Sequence, residues 1–252
     1  MEPILSYFPT KGFKKAELRF RHLLTQEKKR LETIADKRNG SAIDRENLTA
    51  ELPQILSFSH AYHETFMEYL KHVLPQHEGK IYCNAECKNC CHHYPMTLAP
   101  FELISFYDHL RRSPALLETV EECLFRVRRY HHLLNESKED DAEEDALHRY
   151  FAQGLACPFA ASGGGCSFYE ARPVSCRMYF SLTPPEYCVP EYLQTEKNKS
   201  FIVYLPDDIE ELIEEISAYY SGLELPESFY EGLLAMNALE PCYSRPETEN
   251  EK

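Results

Sequence analysis

Four thiols fall within nine residues, in the run Cys83-Asn84-Ala85-Glu86-Cys87-Lys88-Asn89-Cys90-Cys91. Core packing does not require that density. A thiolate is the softest ligand a protein owns, and short Cys spacings let one loop wrap a metal ion or a cluster. A second group follows at Cys157, Cys166, Cys176 and Cys188. The first group reads C-x3-C-x2-C-C and the second C-P-x7-C-x9-C-R-x10-C. This pattern predicts that the eight thiols fold together around metal. Adjacent Cys90 and Cys91 point apart if their loop is extended, because successive side chains alternate. They are then expected to serve two neighbouring sites or one polynuclear centre. One allocation joins Cys83, Cys87 and Cys90 to the remote Cys157-Pro158 pair, a spacing similar to that of iron–sulfur ferredoxins although the intervals differ. Cys91, Cys166, Cys176 and Cys188 then remain for a tetrathiolate zinc site. Two zinc ions fit the same count.

Residues beside the thiols extend the pattern. A tetrathiolate zinc site carries a net charge of about −2. Arg172 and Arg177 flank Cys176, and either can donate to sulfur and offset that charge from outside the ligand set. Pro173 is expected to fix the turn into Cys176. Gly163, Gly164 and Gly165 are expected to allow a tight return to Cys166. They lack the strand, helix and Lys-Ser/Thr context of a phosphate loop. His92 and His93 are secondary ligand candidates, since eight thiols already complete two closed sites. Cys123 lies on an apolar helical stripe and is expected in the core. Cys242 is expected outside the centre.

Cys83-x3-Cys87-x2-Cys90-Cys91, Cys157-Pro158-Phe159 and the run from Cys166 through Tyr169-Glu170-Ala171-Arg172-Pro173 to Cys176-Arg177 together resemble the YkgJ-type CxxCxxCC cysteine-cluster family. The resemblance spans about residues 82–188. It implies a zinc- or iron-chelating domain marked by eight cysteines, the eighth matched by Cys188. The family includes flagellin lysine N-methylase. The resemblance therefore also implies an alternative, a metal-dependent enzyme that methylates protein lysine with S-adenosylmethionine. A radical S-adenosylmethionine loop is a poor match, because Asn89 stands where that loop carries an aromatic and no alternating strand–helix pattern follows. A Rossmann-type methyltransferase lacks its strand-Gly-x-Gly-helix unit. A thiol redox sensor is the third class, and it needs exposed thiols of low pKa. Four thiolates per metal leave no open position for substrate, which favours structure over catalysis.

The elements that must position these thiols are mostly helical. Apolar residues recur at helical spacing through residues 14–37, at Phe20, Leu23, Leu24, Leu31, Ile34 and Ala35. A short helix over 44–52 is expected, then a longer one opened by Pro53 and ended near Pro75. Residues 80–82 read as extended. Further helices are expected over 100–112, from Ser113-Pro114 through Leu134, over 140–153, 207–220 and 227–239, with a short strand over 201–204. Residues 154–199 carry the Gly run, Arg172-Pro173, Thr183-Pro184-Pro185 and Val189-Pro190, which break regular structure. The predicted fold is mainly α with an irregular, loop-rich cysteine cluster at its centre. Its expected divisions are a helical extension over 1–78, the cysteine-cluster domain over 79–200, helices over 201–243 packing on it, and a tail over 244–252.

Composition narrows the partners. There is no Trp, and 17 Tyr and 14 Phe supply the aromatic filling. No apolar run approaches a membrane span. The first ten residues show no cationic segment followed by an apolar one, which predicts a cytoplasmic location where ten cysteines serve as ligands or buried thiols. The net charge of −14 disfavours nucleic acid as a partner. Basic residues dominate 11–38, and acidic ones dominate 136–145 and 207–215. The basic run is expected to be a solvated helix face. Metal ions, zinc or iron, are the predicted cofactors.

Overall fold

The computed structural model describes residues 10–38, 42–76, 79–84, 87, 89–96, 98–138, 141–161, 163–192 and 195–239. Cys242 lies outside the described residues. Seven α-helices and one two-stranded sheet stand among them: α1 Lys11–Arg38, α2 Leu48–Val73, α3 Pro100–Leu110, α4 Leu116–Glu136, α5 Ala142–Phe151, β1 Tyr179–Ser181, β2 Ser200–Ile202, α6 Asp207–Ala218 and α7 Phe229–Ala238. The chain is mainly helical, and eight of its cysteines lie in loops and turns between α2 and α6, while Cys123 lies within α4.

The central helix is α3. Nearly every residue from Phe101 to Leu110 is buried, and a helix covered all round must be packed on more than one side. Helix α2 lies on one side and α7 on another, while α1 packs on α2 and α6, and α4 on α5 and α7. Aromatic rings fill the contacts. Phe101 meets Phe58 and Tyr62 of α2 at ring separations of 4.8 and 5.0 Å. Phe106 meets Phe159 and Phe229 at 4.7 and 4.8 Å. Tyr94 stacks on Tyr130 at 4.2 Å and meets Tyr150 and Tyr230 edge-on at 5.2 Å each. Such tilted pairs suit the ring quadrupole. Gly232 lets α7 come close to α3: a Cβ there would stand 2.4 Å from a Leu103 methyl.

Three elements differ from the sequence reading. The helix expected to break before Pro53 runs through it. Residues 44–47 form a turn instead, in which the Asp44 side chain accepts from the N–H groups of Glu46 and Asn47 at 3.0 and 3.2 Å. Leu48, Ile55 and Phe58 share one buried face, so burial on both sides of Pro53 carries the helix past the missing N–H. Strand β1 was not anticipated. It pairs antiparallel with β2, with Phe180 opposite Phe201. The basic run of α1 is also not simply solvated. Arg21 pairs with Asp208, and Lys28 meets Glu215 at 2.9 Å, so part of it faces the acidic helix α6 of the same chain.

Candidate metal centre

The first cysteine loop is held by β1. Tyr82 N–H donates to the Ser181 carbonyl at 3.0 Å, and Ser181 N–H donates to Cys83 Sγ at 3.2 Å. Asn84 turns the chain toward Cys87, whose N–H reaches the Asn84 carbonyl at 3.2 Å and its side-chain oxygen at 2.9 Å. Cys90 and Cys91 do not lie in an extended loop. They sit in one short 3-10 turn, Asn89–His92. In that turn the two thiols stay within hydrogen-bond reach: the Cys91 thiol donates to Cys90. That bond, helped by Arg172 and opposed by burial, draws Cys90 down to about 6. Cys91 is pushed far up, first by the same bond and then by burial. The two thiols therefore titrate as a pair.

The second group is tied to the first through main chain. Cys157 N–H donates to the Cys91 carbonyl at 2.8 Å. Gly164 and Gly165, with φ of 102° and 74°, form the return to Cys166, where Ala161 N–H meets the Gly165 carbonyl at 3.1 Å. Only glycine adopts such angles freely. Pro173 precedes a second 3-10 turn, Val174–Arg177, and its carbonyl accepts from Cys176 N–H at 3.1 Å. Cys188 ends the turn Pro185–Tyr187, whose Pro185 carbonyl accepts from both Cys188 N–H and the Asn89 side chain.

These contacts sort the thiols into neighbourhoods. Burial raises Cys83 to about 11, and the thiols of Cys87, Cys90 and Cys188 add to that rise. Burial raises Cys176 to about 12, with Cys157, Cys90 and Cys166 adding to it and Arg172 opposing. Burial also raises Cys157 and Cys166. Cys83 thus has Cys87, Cys90 and Cys188 nearby, Cys176 has Cys157, Cys90 and Cys166, and Cys91 has Cys90 and Cys157. The nine described cysteines are free thiols. Among the described residues no three Cys, His, Asp or Glu side chains are already drawn together at ligand distance around one point. The donor set nonetheless suits zinc or iron, since grouped, half-buried thiols next to a guanidinium are soft ligands with charge compensation at hand.

Arg172 lies between the neighbourhoods. Its Nη2 stands 3.7 Å from Cys90 Sγ and also donates to the Cys176 carbonyl. Arg177 turns the other way. Its donors go to the carbonyls of Arg172, Tyr169 and Glu170, with Nη1 3.7 Å from Met67 Sδ. Only the first therefore touches sulfur of a candidate ligand. His93 stacks on Phe151 at 4.0 Å, and burial draws it down to about 4. His92 Nδ1 is buried and unpartnered. Tyr230 of α7 donates to Cys157, a contact that no spacing indicates across more than seventy residues. Cys123 is buried near Cys157, and burial lifts it to about 12. A cavity of about 930 Å³ adjoins the centre. Cys90, Cys91, Cys157, Cys166 and Cys176 form one wall, and Glu210, Ile213 and Glu214 of α6 form another.

Residues 82–200 match the model of the CxxCxxCC family, described as "Putative zinc- or iron-chelating domain". The matched segment spans both thiol groups. No curated protein and no solved structure matches the chain. No helix among the described residues is long and apolar enough to cross a membrane.

Arg172→Ala is expected to weaken metal binding about ten- to hundredfold, the usual cost of removing a partner that orients or compensates a ligand. Chelator competition on purified protein measures this. Unchanged affinity would show that Arg172 does not act on the thiols.

Proposed function

We propose that the chain is a metal-binding protein that holds zinc or iron in two four-thiol sites, one formed by Cys83, Cys87, Cys90 and Cys188 and the other by Cys91, Cys157, Cys166 and Cys176. The observation that carries this reading is that the Cys157–Cys91 main-chain bond ties the two cysteine loops together and that Cys90, Cys91, Cys157, Cys166 and Cys176 line one cavity. Arg172 compensates charge between the sites. A tetrahedral site requires each set of four to reach sulfur separations of ~4 Å. Elemental analysis with X-ray absorption on anaerobically purified protein tests it. The expected result is all-sulfur coordination. Mixed nitrogen and oxygen ligation would reject the assignment. Visible charge-transfer absorption marks iron, and a colourless metal-loaded protein marks zinc.

The cavity supports a second reading, a metal-dependent enzyme. Five of the eight thiols face a space large enough for a sizeable occupant. A metal with three protein thiols and one open position would reverse the structural reading. Counting sulfurs per metal separates the two.

The raised thiols set a pH dependence. In the metal-free chain Cys83 and Cys176, near 11 and 12, keep their protons at neutral pH. Metal must displace them, so binding releases a proton from each and tightens as pH rises toward those values. Affinity is expected to fall by up to about tenfold per pH unit for each proton displaced on acidification. Titration calorimetry in buffers of different ionisation heat measures the release. A binding heat independent of buffer would contradict it.

A further inference from the structure

We infer that helix α2, which lies outside the family segment, holds the Cys176 turn in its metal-binding position through Glu102 and Met67. This rests on the metal reading above. The turn Val174–Arg177 is gripped at both ends. At its start, Val174 N–H donates to Glu102 Oε1 at 2.7 Å. His63 Nε2 of α2 stands 2.9 Å from the same oxygen. At its end, the Arg177 guanidinium lies 3.7 Å from Met67 Sδ of α2. His63 and Met67 are one helical turn apart and share a face of α2.

Burial makes the grip specific. Glu102 is 3% exposed and His63 7%. A buried carboxyl oxygen needs hydrogen-bond partners, and here one is side chain from α2 and the other is main chain from the thiol loop. Val174 N–H begins a single turn with no carbonyl before it in register, so an outside acceptor fixes where that turn starts. Cys176 lies two residues on. Arg177 repeats the arrangement from the other side. Its Nε donates to the Arg172 carbonyl at 2.7 Å, and Arg172 in turn reaches Cys90 Sγ and the Cys176 carbonyl. Glu102 and Met67 are therefore positioning residues. They touch no candidate ligand sulfur, and they set the main chain from which Cys176 and Arg172 project.

The test uses the full chain, with Co²⁺ as the probe because its thiolate charge-transfer bands report the ligand geometry. Glu102→Leu removes the acceptor. It is expected to weaken Co²⁺ binding about ten- to hundredfold and to alter the band pattern. Glu102→Gln keeps an oxygen for Val174 N–H and is expected to stay within about threefold of wild type with its spectrum. If Glu102→Leu does not fold, Glu102→Asp decides, since it keeps the charge and draws the oxygen back by one methylene; it should weaken binding and shift the bands. A variant that merely melts earlier, with wild-type Co²⁺ affinity and bands, would overturn the positioning role alone. Wild-type protein that takes up no Co²⁺ into thiolate ligation would overturn the metal reading and this inference together.

Discussion

Cys176→Ser is expected to lose the metal bound by the second thiol group and to open residues 154–199 to protease while most helical signal survives. That segment holds single 3-10 turns and the three-residue strand β1. Ordering its backbone costs about 1–2 kcal/mol per residue, and short turns return little of that through their own packing. A structural zinc site at neutral pH supplies on the order of 10 kcal/mol. Cys176 lies near Cys157 and Cys166 of the second group and also near Cys90. The helices have support independent of it. Phe20 of α1 meets Tyr62 of α2 at 5.4 Å, and Phe58 meets Phe101. Limited proteolysis, circular dichroism and metal analysis of the variant check this. An unchanged metal complement with no new cleavage in 154–199 would remove Cys176 from the ligand set. Complete loss of helical signal would mean that the centre is the core of the whole fold.

The fragment 79–200 is expected not to fold alone, with or without metal. It contains α3 but neither α2 nor α7, which cover α3 from two sides. Phe101 would lose Phe58 and Tyr62, Phe106 and Phe159 would lose Phe229, and Tyr94 would lose Tyr230. Each exposed large apolar side chain forfeits about 1.5–3 kcal/mol, and domain stabilities total only about 5–15 kcal/mol. Four such side chains are enough to unfold it. The fragment should bind hydrophobic dye and melt without a sharp transition. A cooperative melt with the metal content of the full chain would show that the cysteine-rich segment is a domain in its own right.

Much of the helical frame was legible because its helices carry one-sided stripes. The stripe Leu117, Val120, Leu124, Val127, Tyr130 and Leu134 gives α4 its helical spacing, and Val127, Tyr130 and Leu134 pack on the core while Leu117 and Leu124 stand exposed. The thiols were legible as a group for a different reason: their density has no packing explanation. Their pairing was not legible. Spacing cannot say which loop returns beside which, so Cys188 arrives next to Cys83 through a Pro185 turn that Asn89 holds. The assumption of alternation at Cys90 and Cys91 failed because the backbone there is helical. Glu102 was invisible for a simpler reason. An acidic residue in the first turn of a helix is ordinary, and its bond to Val174 spans 72 positions.

Helix α6 carries charge on two edges. One is neutralised by Arg21 and Lys28 of α1, and the other presents Glu210 and Glu214 to the cavity beside the thiols. The unneutralised edge makes the cavity an attractive field for cations and a repulsive one for anions. A metal ion that entered by this cavity would be concentrated at that wall before any bond formed. The edge thus governs encounter rates more than final affinity, and its reach shrinks to about 8 Å at physiological salt.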